Sequence, residues 1–250
     1  MKVEPFFDAD TNTLTYIVFD EKSKDAVIID PVLDYDPHAS KVSTVNIDRY
    51  TSFLNDHKLN LLYSLETHAH ADHIGRIPKL VRDGFRGKIY STQATKDLSQ
   101  VMFDDALHIM QYEAERDDRQ PLYSGKDIDM ALKLWKGVKY DEVINEGDTK
   151  IRFTDAGHIL GSAMVTMERY GKKIVFTGDV GNIPQPLLSP PTVPTDFDYM
   201  VMESVYGDRV HEEVEERTAL LKYHIEETVK KQGTLIIPAF SLERTQGILY

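Results

Sequence analysis

Seven consecutive residues, Thr67-His68-Ala69-His70-Ala71-Asp72-His73, place three imidazoles and a carboxylate within six positions. Nitrogen and oxygen donors at that density suit zinc, iron or manganese. The short apolar run Leu61-Leu62-Tyr63-Ser64-Leu65 just before them reads as a buried strand. If it ends near Glu66, the cluster sits on the loop at its C-terminal edge. His68 and His70 then point the same way, because side chains i and i+2 share a face. Asp72 and His73, on the turn leading out, are free to face a second, adjacent metal. A His-rich surface loop is the plain alternative. Nine His in 250 residues is ordinary, but three within six around an Asp is not.

This H-x-H-x-D-H pattern resembles the signature of the metallo-β-lactamase superfamily, whose members are mostly metal-dependent hydrolases. The resemblance implies an α/β fold, the αββα sandwich, and a further His and a bridging Asp downstream, each at a strand end. Asp155-Ala156-Gly157-His158 follows the alternating run Lys150 to Thr154, and Gly178-Asp179 follows Lys173 to Thr177. By the same resemblance His68, His70 and His158 would hold one metal. Asp72, His73 and Asp179 would hold a second, with Asp179 bridging and Asp72 also orienting a hydroxide. Two divalent ions, zinc above all, are the expected cofactors; a single iron is the alternative.

The elements that must position these residues follow an α/β rhythm. Thr13 to Phe19 and Ala26 to Asp30 read as paired strands around the polar turn Asp20 to Asp25. Asp30 stands where superfamily members place an acidic residue that supports the metal loop; a strand-ending turn residue is the competing reading. Apolar spacing predicts a helix over Ile47 to Leu54, a long helix from Thr95 to Glu115 and another over Asp127 to Lys136. Met102, His108, Met110 and Trp135 are expected there as packing or surface residues. Asp198 to Met202 reads as a strand. A charged helix from about Glu212 to Lys231, to which His211 and His224 belong, precedes an expected buried strand Thr234 to Pro238 and a last helix starting near Ser241.

Within the superfamily two branches are matched. The first 73 residues look most like the persulfide dioxygenase and glyoxalase II branch, on Ile29-Asp30-Pro31-Val32-Leu33-Asp34-Tyr35-Asp36-Pro37 and Leu65 to His73. Residues 75–250 resemble the β-CASP nucleases of RNA processing. Ile74 to Val81, Gly87 to Thr95, Asp155 to Ala163 and Met202-Glu203-Ser204-Val205-Tyr206-Gly207-Asp208 carry that likeness. It implies a metallo-β-lactamase-like domain over 1–208 and the start of a β-CASP-like segment over 209–250. It also makes Glu203 a catalytic carboxylate supporting a general acid, and Ser162 and Arg244 phosphate contacts. Further His residues of the β-CASP pattern fall after Tyr250. A tight first metal site, a weak second one and better hydrolysis of activated phosphodiesters than of RNA are therefore expected.

Composition limits the partners. A net charge of −12 argues against indiscriminate nucleic-acid binding, which depends on Lys and Arg. It leaves a nuclease open, since bound cations supply local positive charge. RNA or single-stranded nucleic acid is the expected substrate. No apolar run reaches the roughly 18 residues of a membrane span, the N-terminus lacks an apolar signal region, and the absence of Cys rules out thiolate ligands. A cytoplasmic metallo-hydrolase fits best. A thiolester hydrolase or iron persulfide dioxygenase, and an inactive metal-binding module, are the alternatives.

Overall fold

The computed structural model describes residues 1–32, 35–36, 41–210 and 214–250, with backbone alone at 35–36, 41–42 and 214–215. Leu33, Asp34, Pro37 and His211, singled out above, lie outside the described residues. In chain order come β1 (Lys2–Phe7), β2 (Leu14–Phe19), β3 (Asp25–Ile29), β4 (Tyr35–Asp36), β5 (Lys41–Val42), α1 (Val45–Asp56) and β6 (Asn60–Leu65). Then follow α2 (Ala71–Ile74), α3 (Ile77–Arg82), β7 (Lys88–Thr92), α4 (Gln93–Arg116), α5 (Gly125–Leu134) and β8 (Trp135–Val138). The last elements are β9 (Val143–Glu146), β10 (Thr149–Asp155), β11 (Ala163–Arg169), β12 (Lys172–Phe176), β13 (Tyr199–Val201), α6 (Val214–Lys230) and α7 (Arg244–Leu249).

Two sheets face each other. The first runs β1-β2-β3-β6-β7-β8, antiparallel through β3 and parallel from β3 onward; the second runs β13-β12-β11-β10-β9. Most of β2 and β3 is buried on both faces, which is why these strands read as continuous apolar runs. Val18, Val27, Ile29 and Leu65 point between the sheets, against Ile151, Phe153, Val165 and Phe176 of the second. Ile17, Phe19, Ala26 and Ile28 point outward and are covered by Ile47 and Tyr50 of α1 and by Phe103 of α4. The result is a layered α/β sandwich.

Two expectations change at element ends. The helix predicted to Lys136 stops at Leu134, and Trp135 begins β8 instead. The ring of Trp135 is buried, and its Nε1 donates to Ser91 Oγ at 2.8 Å, so pairing with β7 competes successfully with helix continuation. The buried strand expected over Thr234 to Pro238 does not form. That stretch is irregular and exposed, with Ile236 83% exposed. An apolar run marks a strand only where a sheet edge pairs with it, and among the described residues none does here.

Candidate metal centre

Because β3 and β6 are parallel, their C-terminal ends deliver Asp30 and the Thr67–His73 loop to one end of the first sheet. The ends of β10 and β12 deliver His158 and Asp179 to the same end of the second. The two halves are stitched together directly, Ala163 N donating to Thr67 O at 2.8 Å.

Six side chains meet there. His68 Nε2 lies 3.1 Å from His70 Nδ1, and His158 Nε2 lies 3.3 Å from the same atom. Tetrahedral ligands about 2.0–2.1 Å from a zinc ion stand roughly 3.3 Å apart, so these spacings fit one cation among three imidazoles. One ligand atom from each of His68, His70, His158 and Asp179 falls within 4.8 Å of every other. Asp179 faces two ways. Its Oδ2 lies 3.8 Å from His68 Nε2 and 3.6 Å from His158 Nε2, while Oδ1 lies 3.7 Å from His73 Nε2. Oδ2 of Asp72 is 3.6 Å from that same His73 nitrogen. The set therefore divides into a nitrogen-rich half and a more anionic half that share Asp179.

The protons are placed from behind. Thr67 Oγ1 donates to Asp30 Oδ2 at 2.6 Å, so toward His68 Nδ1, at 3.0 Å, it can only accept. The His68 proton is thereby held at Nδ1 and the Nε2 lone pair faces the centre. His73 Nδ1 donates to the same Asp30 oxygen at 3.0 Å, leaving Nε2 toward Asp72 and Asp179. Asp30 Oδ1 accepts Thr67 N at 2.8 Å as well. Of the two readings of Asp30, a support beneath the loop is the one its contacts match. Its backbone is in the left-handed region, φ 49°, a strained conformation for a residue with a Cβ.

Charge follows this division. Burial, reinforced by His73, holds His68 well below the ordinary imidazole range. Burial first, and neighbouring rings after it, brings His70 to about 4; burial and His73 do the same for His158, also about 4. All three present neutral nitrogens at neutral pH. At His73, burial opposes the charged form, but Asp30, Asp72 and Asp179 outweigh it and raise the pKa to about 10. That pocket favours positive charge at His73 Nε2, whether a proton or a metal ion. Burial raises Asp179 despite His73, whereas His73 and a 2.9 Å hydrogen bond from Thr13 Oγ1 overcome burial and lower Asp72.

The remaining expected residues divide differently. Ser162 is buried, and its Oγ accepts the backbone N–H groups of His158 at 2.9 Å and Ile159 at 3.2 Å. By accepting both groups the hydroxyl shapes the His158 loop, and these two bonds leave its own proton uncommitted. Glu203 Oε1 accepts Val180 N at 2.6 Å and so braces the segment after Asp179. Arg244 is exposed and close enough to disfavour a charge on His158.

Several supporting residues had no role assigned from the sequence. Thr92 and Thr95 Oγ1 both donate to Gly161 O, at 2.7 and 2.8 Å, so the first turn of α4 grips the His158 loop. Gly161 has φ +86°, and a Cβ there would lie 2.7 Å from Thr95 N. Gly178, φ +53°, lets the Asp179 loop pass over Thr67, whose Oγ1 would lie 2.7 Å from an added Cβ. Thr13, behind Asp72, belongs to a turn 59 residues away.

No family model matches the sequence. A ribonuclease of Thermus thermophilus is 37% identical over 186 residues, covering 74% of this chain and 41% of that protein. Cleavage and polyadenylation specificity factor subunit 3 of Dictyostelium discoideum is 32% identical over 187 residues, 74% of this chain and 24% of that protein. The chain thus spans less than half the length of these relatives. Among solved structures, ETHE1 from Myxococcus xanthus superposes with a TM-score of 0.42 at 21% identity, covering 71% of this chain and 56% of that one. Over about three quarters of its length the chain is homologous to the β-CASP ribonucleases, the branch of the metallo-β-lactamase superfamily that residues 75–250 resemble.

Proposed function

We propose that this chain carries the hydrolytic centre of a metal-dependent phosphodiesterase acting on RNA. The observation that supports it best is the divided carboxylate of Asp179, one oxygen toward His68 and His158 and the other toward His73. His68, His70 and His158 would hold one divalent cation, and Asp72 and His73 a second, with Asp179 common to both. Two such cations supply Lewis acidity and bring the pKa of water toward neutrality. The identity zinc rests on the imidazole-rich donor set and the spacings near 3.3 Å.

The chain's own groups do the rest. Asp72, fixed at Oδ2 by Thr13, is placed to orient the attacking water and take its proton. Asp30 keeps both His68 and His73 in the tautomers that aim Nε2 inward. Glu203 holds the backbone after Asp179 and so fixes where that carboxylate points. Arg244, exposed at the start of α7, is the candidate contact for a phosphate oxygen. Residues 209–250, with α6 and α7, are proposed to begin a segment distinct from the sandwich.

The printed names of the relatives, a ribonuclease and an RNA cleavage factor, support RNA as the substrate class. The test combines elemental analysis with cleavage of end-labelled RNA by the metal-loaded protein and by Asp179→Asn. Two divalent ions per chain, with cleavage abolished in the variant, is the expected result. One iron per chain with persulfide oxidation, or thiolester hydrolysis without RNA cleavage, would replace this reading.

A further inference from the structure

The irregular segment between α6 and α7 does not pack as a strand, yet it is not placed at random. Leu242 lodges against the first hydrophobic core. Just before it, Phe240 O accepts from both Thr245 N at 3.2 Å and Thr245 Oγ1 at 2.7 Å. Gln246 Nε2 donates to Ser241 O at 2.9 Å. These bonds fix the turn from which the Phe240 ring projects. The ring comes to rest 5.8 Å from the His70 ring, tilted by 41°.

Phe240 remains 76% exposed there. A Phe that served packing would be buried, since the gain comes from apolar area removed from water. This ring instead touches one member of the metal centre on one side and leaves its remaining surface open. Arg244, four residues on, is exposed as well, at the start of α7, and its backbone N donates to Leu242 O at 2.8 Å. An open π-face over His70 and an exposed guanidinium are thus carried by one turn. A nucleotide offers the matching chemistry, a flat base for the ring and a phosphate for the cation. A base can lie on a side chain only when it is not stacked in a duplex, so the arrangement selects a single strand.

We propose that Phe240 is a stacking platform for the base of a nucleotide adjoining the cleaved phosphate of single-stranded RNA, with Arg244 contacting the neighbouring phosphate. This rests on the phosphodiesterase reading above. Base–aromatic stacking is sequence-tolerant, so the platform would set strandedness and register of the substrate and leave the base identity open.

The test measures dissociation constants of short single-stranded oligoribonucleotides on the metal-loaded full chain by fluorescence anisotropy at low temperature, with strand integrity checked by gel. Each oligomer is compared with versions abasic at one position in turn, on wild type, Phe240→Ala and Phe240→Trp. Phe240→Ala is expected to weaken the intact oligomer about 5- to 150-fold, and Phe240→Trp to retain it. One abasic position should weaken wild type by the same factor and leave Phe240→Ala unaffected, because the two changes delete one contact. Duplex RNA of the same sequence should bind wild type and Phe240→Ala alike.

An unchanged constant for Phe240→Ala overturns the proposal, and so do abasic effects equal in wild type and variant. Either result, with RNA still cleaved by wild type, leaves the hydrolytic reading intact and assigns the Phe240 face to contacts with protein. Failure of wild type to bind or cleave any single-stranded RNA sinks that reading, and this one with it.

Discussion

Nδ1 of His73 lies 3.0 Å from Oδ2 of Asp30, the same oxygen that takes the hydroxyl proton of Thr67. One buried carboxylate therefore governs two rings, His73 directly and His68 through Thr67. The two rings belong to different halves of the proposed centre. Loss of this single residue should be felt by both.

Asp30→Asn is expected to lower metal affinity about 10- to 100-fold at each half, the usual cost of removing a partner behind a ligand. Thr67→Val should weaken only the half containing His68, because His73 keeps its own bond to Asp30. Competition with a chromophoric chelator, read as two successive binding steps, separates the cases. Equal losses at both steps in Thr67→Val would refute the relay.

The grip of α4 on the His158 loop gives a second prediction. Gly161→Ala places a Cβ 2.7 Å from Thr95 N, 2.8 Å from Ala94 Cβ and 2.9 Å from Thr92 Oγ1, at φ +86°. Backbone strain together with the clash should cost about 2–4 kcal/mol. Thr92→Val, which leaves the loop room but removes both the bond to Gly161 O and the N-cap bond from Thr95 N, should cost about 2 kcal/mol. Both variants should also weaken the first metal-binding step, since His158 moves with the loop. Thermal melts of the metal-free protein report the first effect and chelator competition the second. A Gly161→Ala variant that melts like wild type would mean the loop is held elsewhere.

What could be read from the chain beforehand tracks how local the cause is. His68, His70, Asp72 and His73 announce themselves because ligand types and two-residue spacing sit inside one short window. His158 and Asp179 are legible from the strands that precede them, β10 and β12. The roles of Thr13, Thr92 and Gly161 at the site are not, because each acts there through a partner 59 to 69 residues away that folding brings near. Ser162 accepts two backbone N–H groups only three and four residues away, a loop geometry that residue types alone do not reveal. The run Leu235-Ile236-Ile237 has strand composition but no sheet edge beside it, and composition cannot supply one.

Metal removal should destabilise the sandwich, because the proposed ligands come from both sheets. A ligand at about 100 times its dissociation constant stabilises by about 2.7 kcal/mol. For a chain of this size that corresponds to a melting point lower by about 5–10 °C after chelation. His158→Ala should lose most of that metal-dependent increment while its metal-free melt stays close to wild type. Identical melting curves before and after verified metal removal would place the site outside the cooperative core.

At the opposite end of the strands, Glu146 of β9 fastens the second sheet to the first. It accepts Tyr63 OH at 2.9 Å, Lys88 Nζ at 2.6 Å and the hydroxyl of Tyr90, from β6 and β7. Burial works against its charge, but Lys88, Tyr90 and Tyr63 together lower its pKa below the ordinary 4.5. A carboxylate depressed on folding contributes stability that is present above its unfolded value and lost as pH falls through the lowered one. Glu146→Gln should therefore cost about 2 kcal/mol at pH 7, where the ion is intact. The gap to wild type should close as the pH drops below the glutamate range, where wild type loses the same charge. Urea melts at pH 7 and pH 3 test this, and a gap of equal size at both would assign the cost to packing and not to the ionised carboxylate.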